Sequence, residues 1–225
     1  MKLSIIVPAL DEAAGIAAAL KALAPLRASG HEVIVVDGGS TDATAAIAAP
    51  LADRVIQAQR GRASQMNTGA AVAAGDALLF LHADTRLPER AAEFVRDALE
   101  RRSWGRFDVR IEGRSRWLAV VAFCMNWRSR LTGIATGDQA MFMRRDVFAR
   151  AGGFSDIPLM EDVALSARLK AISLPACVAA RAVTSGRRWE RRGVLRTVVL
   201  MWRLRLAYFF GARPEDLARR YANGA

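Results

Sequence analysis

Four short apolar runs in the first hundred residues each end in side chains able to do chemistry. Residues 3–7 lead into Pro8-Ala9-Leu10-Asp11-Glu12, and residues 31–36 into Asp37-Gly38-Gly39-Ser40-Thr41-Asp42. Residues 54–57 lead into a stretch from Gln59 to Asn67 that contains Arg60-Gly61-Arg62, and residues 77–81 into His82-Ala83-Asp84. If the runs are strands of an open parallel sheet, all four put polar groups at its carboxyl edge, where such sheets hold ligands in a crevice. Asp42 and Asp11 are also natural helix caps. Asp37 instead closes an apolar strand before a flexible turn, so its carboxylate is placed to accept bonds from a base N–H or a ribose hydroxyl. Asp84 follows a fully buried strand. Beside a diphosphate, such a carboxylate ligates Mg²⁺ or Mn²⁺ while phosphate oxygens and water complete the shell. Its plainer alternative is to cap the turn before Pro88.

The second half offers two further groups. Glu161-Asp162 precedes an amphipathic helix, where acidic residues favour the N-terminal dipole. The same carboxylates can act as a general base toward an acceptor hydroxyl. Arg187-Arg188-Trp189 lies just upstream of the last apolar segment. Two guanidiniums and an indole suit a departing diphosphate, or form the ordinary basic edge of a helix.

The elements that must position these groups alternate. Strands are expected at 3–7, 31–36, 54–57 and 77–81, with helices over 12–26, 42–49 and 63–74 between them. That alternation predicts an α/β chain with a mostly parallel central sheet covered by helices on both faces. Beyond Pro88 the pattern predicts helices over 89–101, 116–131, 145–151 and 162–171. It also predicts an edge strand over 107–111 and a strand over 139–143. In the last segment Leu195, Val198, Val199, Trp202, Leu206 and Phe209 recur at helical spacing, with Arg192, Arg196 and Arg203 assigned to the opposite face.

The chain has 225 residues and is read as one domain. Residues 1–100 form the half expected to bind a ligand, 101–190 the half carrying the base, and 191–225 a C-terminal helical segment. The first hundred residues hold 9 basic and 12 acidic side chains, whereas 101–225 hold 24 and 10, so the net charge of +11 belongs to the second part. Such a surplus implies an anionic partner. Two cysteines, Cys124 and Cys177, and two histidines exclude a disulfide framework and a His-rich zinc site. Pro8 and Asp11-Glu12 interrupt the N-terminal apolar run too early for a signal peptide, and Arg196, Arg203 and Arg205 break the one candidate membrane span.

Taken in order, Ile5-Ile6-Val7-Pro8, Asp11-Glu12, Val35 to Thr44, Asn67-Thr68-Gly69, Leu81-His82-Ala83-Asp84, Gly152-Gly153-Phe154 and Glu161-Asp162 resemble the family 2 glycosyltransferases of the GT-A, nucleotide-diphospho-sugar transferase fold. The resemblance spans residues 3 to about 170. Arg60 to Gly69, His82-Ala83-Asp84 and Arg187-Arg188-Trp189 further resemble a bacterial subgroup associated with radical-SAM/selenodomain proteins. The resemblance implies inverting transfer from a nucleotide-diphosphate sugar, with a UDP-sugar favoured, to an unidentified acceptor. It implies donor contacts from Pro8, Glu12, Asp37, Gly39, Arg62, His82, Arg187, Arg188 and Trp189. Asp84 becomes the ligand of a Mn or Mg ion, and Asp162, beside Glu161, the base. The sequence departs from the family twice: Gly38 replaces the second Asp after strand two, and His82 the first Asp of Asp-x-Asp. His82 suits Mn²⁺ better than Mg²⁺, or contacts the sugar or nucleotide instead.

A dinucleotide oxidoreductase is disfavoured because no Gly-x-Gly-x-x-Gly follows strand one. A non-enzymatic basic protein binding nucleic acid or an anionic membrane is the alternative from another class, although no nucleic-acid motif is present. The expected location is cytoplasmic, with no nucleic-acid partner. Residues 192–210 are a candidate contact with the inner face of the membrane; packing on the core or on a second subunit is the competing role.

Overall fold

The computed structural model describes residues 1–223. β1 (Leu3–Ala9) and β2 (Glu32–Asp37) are buried along almost their whole length, as β-branched strands covered on both faces must be. β1 lies between β2 and β4 (Ala77–Phe80), parallel to both, and β2 pairs in parallel with β3 (Arg54–Gln57). The crossovers are α1 (Ala13–Ala22), α3 (Thr44–Ala48) and α4 (Arg62–Val72). The single helix expected over 12–26 is two helices, because Pro25 lacks the N–H needed to continue the ladder; α2 (Ala24–Ala28) restarts around it.

The second half adds β5 (Thr85–Arg86), α5 (Ala91–Arg101), β6 (Trp104–Glu112), α6 (Trp117–Thr132), β7 (Phe142–Arg144), α7 (Arg145–Arg150), α8 (Glu161–Ile172) and β8 (Ala176–Ser185). Three helices follow: α9 (Arg187–Arg192), α10 (Val194–Phe209) and α11 (Pro214–Asn223). The sheet runs β3-β2-β1-β4-β7-β6-β8-β5. It is parallel through the first four strands and mixed beyond them: β7 is antiparallel to β4 and β6, and β5 to β8, while β6 and β8 are parallel. β6 is therefore an interior strand and not the edge expected at 107–111. Two of its polar residues are buried: Arg106 donates to Ser129 and to the Asn126 carbonyl and pairs with Asp108, which Arg130 also grips at 2.6 Å.

Strand alternation sorts the core into two layers. Leu3, Ile5 and Val7 meet Ile16, Leu20, Val95 and Leu99 of α1 and α5 on one side. Ile6, Ile34 and Val36 meet Met66 and Ala70 of α4 and Leu165 and Leu169 of α8 on the other. Gly69 lets α4 lie hard against the sheet, since a Cβ there would fall 2.5 Å from Ile6 Cγ2 and 2.9 Å from Val36 Cγ2. That approach carries the N-terminus of α4 to the sheet's carboxyl edge.

α10 packs inward through Leu200, Met201, Leu204 and Ala207, with Leu217 of α11 beneath it. The apolar stripe read from the sequence, Leu195, Val199, Trp202, Leu206 and Phe209 among it, faces outward. Arg196 and Arg203 flank that stripe and do not oppose it, because ~100° per residue sets them beside Val199 and Leu206.

Candidate active site

A cleft of about 390 Å³ opens where the sheet ends. Pro8, Leu10 and Glu12 come from the end of β1 and the loop into α1. Arg60, Gly61, Arg62 and Gln65 come from the start of α4, and His82 and Asp84 from the turn after β4. The far wall is Thr184 and Ser185 of β8, Arg188 and Trp189 of α9, and Thr197 and Met201 of α10.

The floor is held from within. Gln65 is buried and donates to the carbonyls of Ala9 and Val36, each at 2.8 Å, tying the ends of β1 and β2 together. A Cβ on Gly38 would sit 3.0 Å from that Gln65 amide, so glycine is the residue this floor admits. Asp37 is also buried, and its carboxylate accepts from the Gly39 and Ser40 amides and from the Ser40 hydroxyl. Asp42 joins two helix starts, accepting from Ala13 at 3.1 Å and from Thr44 at 2.9 Å. Hydrogen bonds from Thr44 lower its pKa.

Opposite charges alternate around the opening. Burial raises the pKa of Glu12, and Asp84 adds to the rise, while Arg187, 3.9 Å away, opposes it. Arg62 is open to the solvent filling the cleft, yet protein encloses it. Burial opposes its charge, but Glu161, Asp138, Tyr221 and Asp162 outweigh that and raise its pKa. Asp138, on a 3₁₀ turn (Gly137–Gln139), lies 3.4 Å from His82 and keeps 40 % of its side chain open to the cleft. Enclosure alone would raise its pKa, but the His82 hydrogen bond and the charges of His82, Arg62 and Arg188 hold it at about 2.

Glu161 and Asp162 begin α8 behind His82 and line a hollow of about 10 Å³, too small for a ligand. The Gly137 amide donates to Asp162 Oδ2 at 2.9 Å, and the Val163 amide to Oδ1 at 2.7 Å. Glu161 is buried, and burial together with the Asp162 charge pushes its pKa up to about 7. The His82 ring rests on Gly137 so closely that no Cβ fits between them. Asn67 clamps this side by exchanging two hydrogen bonds with the Phe154 backbone, beside Gly152 and Gly153, both at positive φ.

Pro8, Glu12, Arg62, His82, Asp84, Arg188 and Trp189 thus share the cleft wall, with Arg187 at its rim through Glu12. Asp37 and Gly39 support the adjoining loop and are not in that wall. Sequence reasoning missed Asp138, Gln65, Thr184 and Ser185. Asp138 had a signal, a carboxylate between Gly137 and Gln139 just ahead of an apolar strand. β8 had none, since Ala176–Ser185 mixes alanine with Arg181.

Sheet order and cleft place the molecule in the GT-A class of glycosyltransferase folds. The structure superposes on residues 1–349 of TarS from S. aureus with a TM-score of 0.65 at 19% identity, covering 88% of this chain and 64% of that one. It superposes on the mannosyltransferase PcManGT from Pyrobaculum calidifontis, in complex with GDP-Man and Mn²⁺, with a TM-score of 0.64 at 21% identity, covering 99% and 69%. The family model for Glycosyl transferase family 2 matches residues 4–150, and the chain belongs to that family. A PGL/p-HBAD biosynthesis glycosyltransferase of Mycobacterium bovis is 41% identical over 104 residues, a match spanning 41% of this chain and 41% of that protein.

Proposed function

We propose that the protein moves a sugar from a nucleoside-diphosphate sugar to an acceptor hydroxyl with inversion at the anomeric carbon. The observation that carries this reading is the cleft itself. Arg62 and Arg188 line it beside the carboxylates of Glu12 and Asp84, and an anchored acid pair lies behind its His82 wall. Family membership favours a transferase over a non-enzymatic nucleic-acid binder. Within the family, the proposal extends to the radical-SAM/selenodomain-associated subgroup, supported by the resemblance of the Arg60 to Gly69, His82-Ala83-Asp84 and Arg187-Arg188-Trp189 stretches.

In this mechanism residues 1–100 hold the donor. Pro8 and Glu12 line the nucleotide side, and Asp37 and Gly39 shape the loop beside it. Arg62, Arg188 and, at the rim, Arg187 neutralise the charge that builds on the departing diphosphate. Trp189 offers a flat apolar wall to the sugar or acceptor. The acceptor oxygen bonds to the anomeric carbon as the bond to the diphosphate oxygen breaks on the opposite face. Asp162 takes the acceptor's proton, and its orientation is fixed by the Gly137 amide. Glu161, with its raised pKa, keeps the full negative charge of the pair from building up beside Asp162.

A divalent cation fits the residues present. Asp84 accepts one weak bond of 3.3 Å from Thr85 and is otherwise open, so its carboxylate is free to take a ligand. Among the described residues no three His, Cys, Asp or Glu side chains converge. Asp84 would therefore hold Mn²⁺ or Mg²⁺ with His82 nearby, and the diphosphate would complete the shell. When bound, the ion would act as a Lewis acid on the leaving group. PcManGT was solved with GDP-Man and Mn²⁺, and glucosyl-3-phosphoglycerate synthase from Mycobacterium tuberculosis with UDP and Mg²⁺, which supports this reading. A peripheral contact of residues 192–210 with anionic lipid belongs to the same proposal, supported by the apolar and Arg side chains exposed there.

The test is calorimetric titration with UDP, GDP and dTDP, with and without Mn²⁺, on wild type and Asp84→Ala. Metal-dependent binding of one nucleotide, lost in the variant, is the expected result. Binding of none of the three overturns the donor site.

A further inference from the structure

Among the described residues thirteen large apolar side chains are exposed, and eleven of them lie on two helices that pack on one another or at the C-terminal edge of one. On α6 they are Trp117, Val120, Phe123, Trp127 and Leu131, a stripe at helical spacing. On α10 and its C-terminal edge they are Leu195, Val199, Trp202, Leu206, Phe209 and Phe210, a second such stripe. Val194 of α10 joins the helices by packing on the buried cluster that holds Leu118 and Ala122 of α6. Isolated exposed apolar residues are ordinary, but a contiguous set of this size marks an interaction surface.

Charge decides what the surface meets. Neither helix carries an Asp or Glu, whereas α6 carries Arg128 and Arg130 and α10 carries Arg196, Arg203 and Arg205. At the seam, two guanidinium nitrogens of Arg128 are buried with no hydrogen-bond partner among the described residues. Burial and the neighbouring Arg205 bring its pKa down to about 10. A second copy docked on this face would set guanidiniums against guanidiniums with no acid between them. Six aromatic rings (Trp117, Phe123, Trp127, Trp202, Phe209 and Phe210) bordered by arginines match the composition of helices that lie in the headgroup layer of a bilayer. No described helix is long and apolar enough to cross a membrane, so the helices would lie on the surface and not span it.

We infer that the paired outer faces of α6 and α10 form a docking surface for an anionic lipid bilayer, α6 being half of it. Docking stands apart from catalysis. Only its consequence, an acceptor hydroxyl presented from the lipid surface, rests on the transferase reading.

The experiment is co-sedimentation of the full chain with phosphatidylcholine vesicles, alone or mixed with phosphatidylglycerol, at low and high salt. Binding to the mixed vesicles at low salt, weakened by salt, is expected. Trp127→Glu combined with Trp202→Glu and Phe209→Glu should abolish it, while nucleotide titration and melting temperature stay at wild-type values. Arg196→Gln and Arg203→Gln should each weaken it by about fivefold. Three results overturn the inference: no binding of wild type at low salt, unchanged binding of the triple variant, or a lipid-free dimer that the same substitutions disperse. Loss of nucleotide binding with vesicle binding intact would instead sink the transferase reading and leave the docking surface standing.

Discussion

The two halves of the sheet are built by different means. From β1 to β4 the structure rests on apolar strands in parallel register, and the polar loops beyond them are satisfied by their own neighbours: Asp37 by Gly39 and Ser40, Asp42 by Ala13 and Thr44. From β6 onward, buried polar side chains hold the elements together. Arg106, Asp108, Arg130 and Asn126 staple α6 to β6, and Asn126 accepts from and donates to Val109. The first half spends its polar groups on its own loops. The second carries a surplus of cations and leaves two apolar helix faces uncovered. A region built in the first way is shaped in advance for a small ligand. One built in the second way has groups left over for an acceptor or a surface.

Four substitutions probe this contrast. The largest effect belongs to the junction of the halves. Asp162→Asn should lower turnover by about a hundred- to ten-thousandfold, read as nucleoside-diphosphate release, with nucleotide affinity unchanged. Undiminished turnover removes Asp162 from the mechanism and leaves the second half without its assigned chemistry.

Next come two stability measurements by urea denaturation. Asp108→Ala leaves Arg106 buried without its carboxylate, at a cost of about 3–5 kcal/mol. Gly69→Ala forces a methyl into the contact between α4 and β1, at a cost of about 1–3 kcal/mol. The opposite order would mean that close packing, not charge, is the more demanding constraint, and the contrast drawn here would fail.

The smallest effect is one of pH. The Glu161 pKa is raised in the folded state, so its contribution to stability is full below the unfolded value near 4.5 and is lost as pH rises through about 7. Glu161→Gln should therefore gain melting temperature relative to wild type as pH goes from 5 to 8. A difference that does not change with pH would place Glu161 in ordinary solvent and remove it from the acid pair.

Much of the first half was legible because its signals are local. β-branched runs, turn residues and the spacing of four polar loops are enough to place β1 to β4 and the residues following them. Pro25 was equally visible, and its effect on the helix follows from its missing N–H. The second half was less legible because its residues take their meaning from partners distant in sequence. Arg106 and Asp108 look like the wet side of an edge strand until α6 supplies Ser129, Asn126 and Arg130. Asp138 becomes a cleft carboxylate only when the β4 turn brings His82 to it. The sequence leaves the outward face of α10 open between core, second subunit and membrane, since helical spacing identifies a face without saying which way it points.

Gly137 acts as a shim between the two halves. Its amide sets Asp162 on one side, and its bare α-carbon receives the His82 ring on the other. The gap between the His82 wall of the cleft and the Asp162 carboxylate is thus gauged by the thickness of one hydrogen atom. A methyl group there would push the two apart, and a misplacement of about 1 Å between reacting groups costs about a hundredfold in rate. In the proposed mechanism the tolerance is therefore set at a residue that is assigned no contact with donor or acceptor.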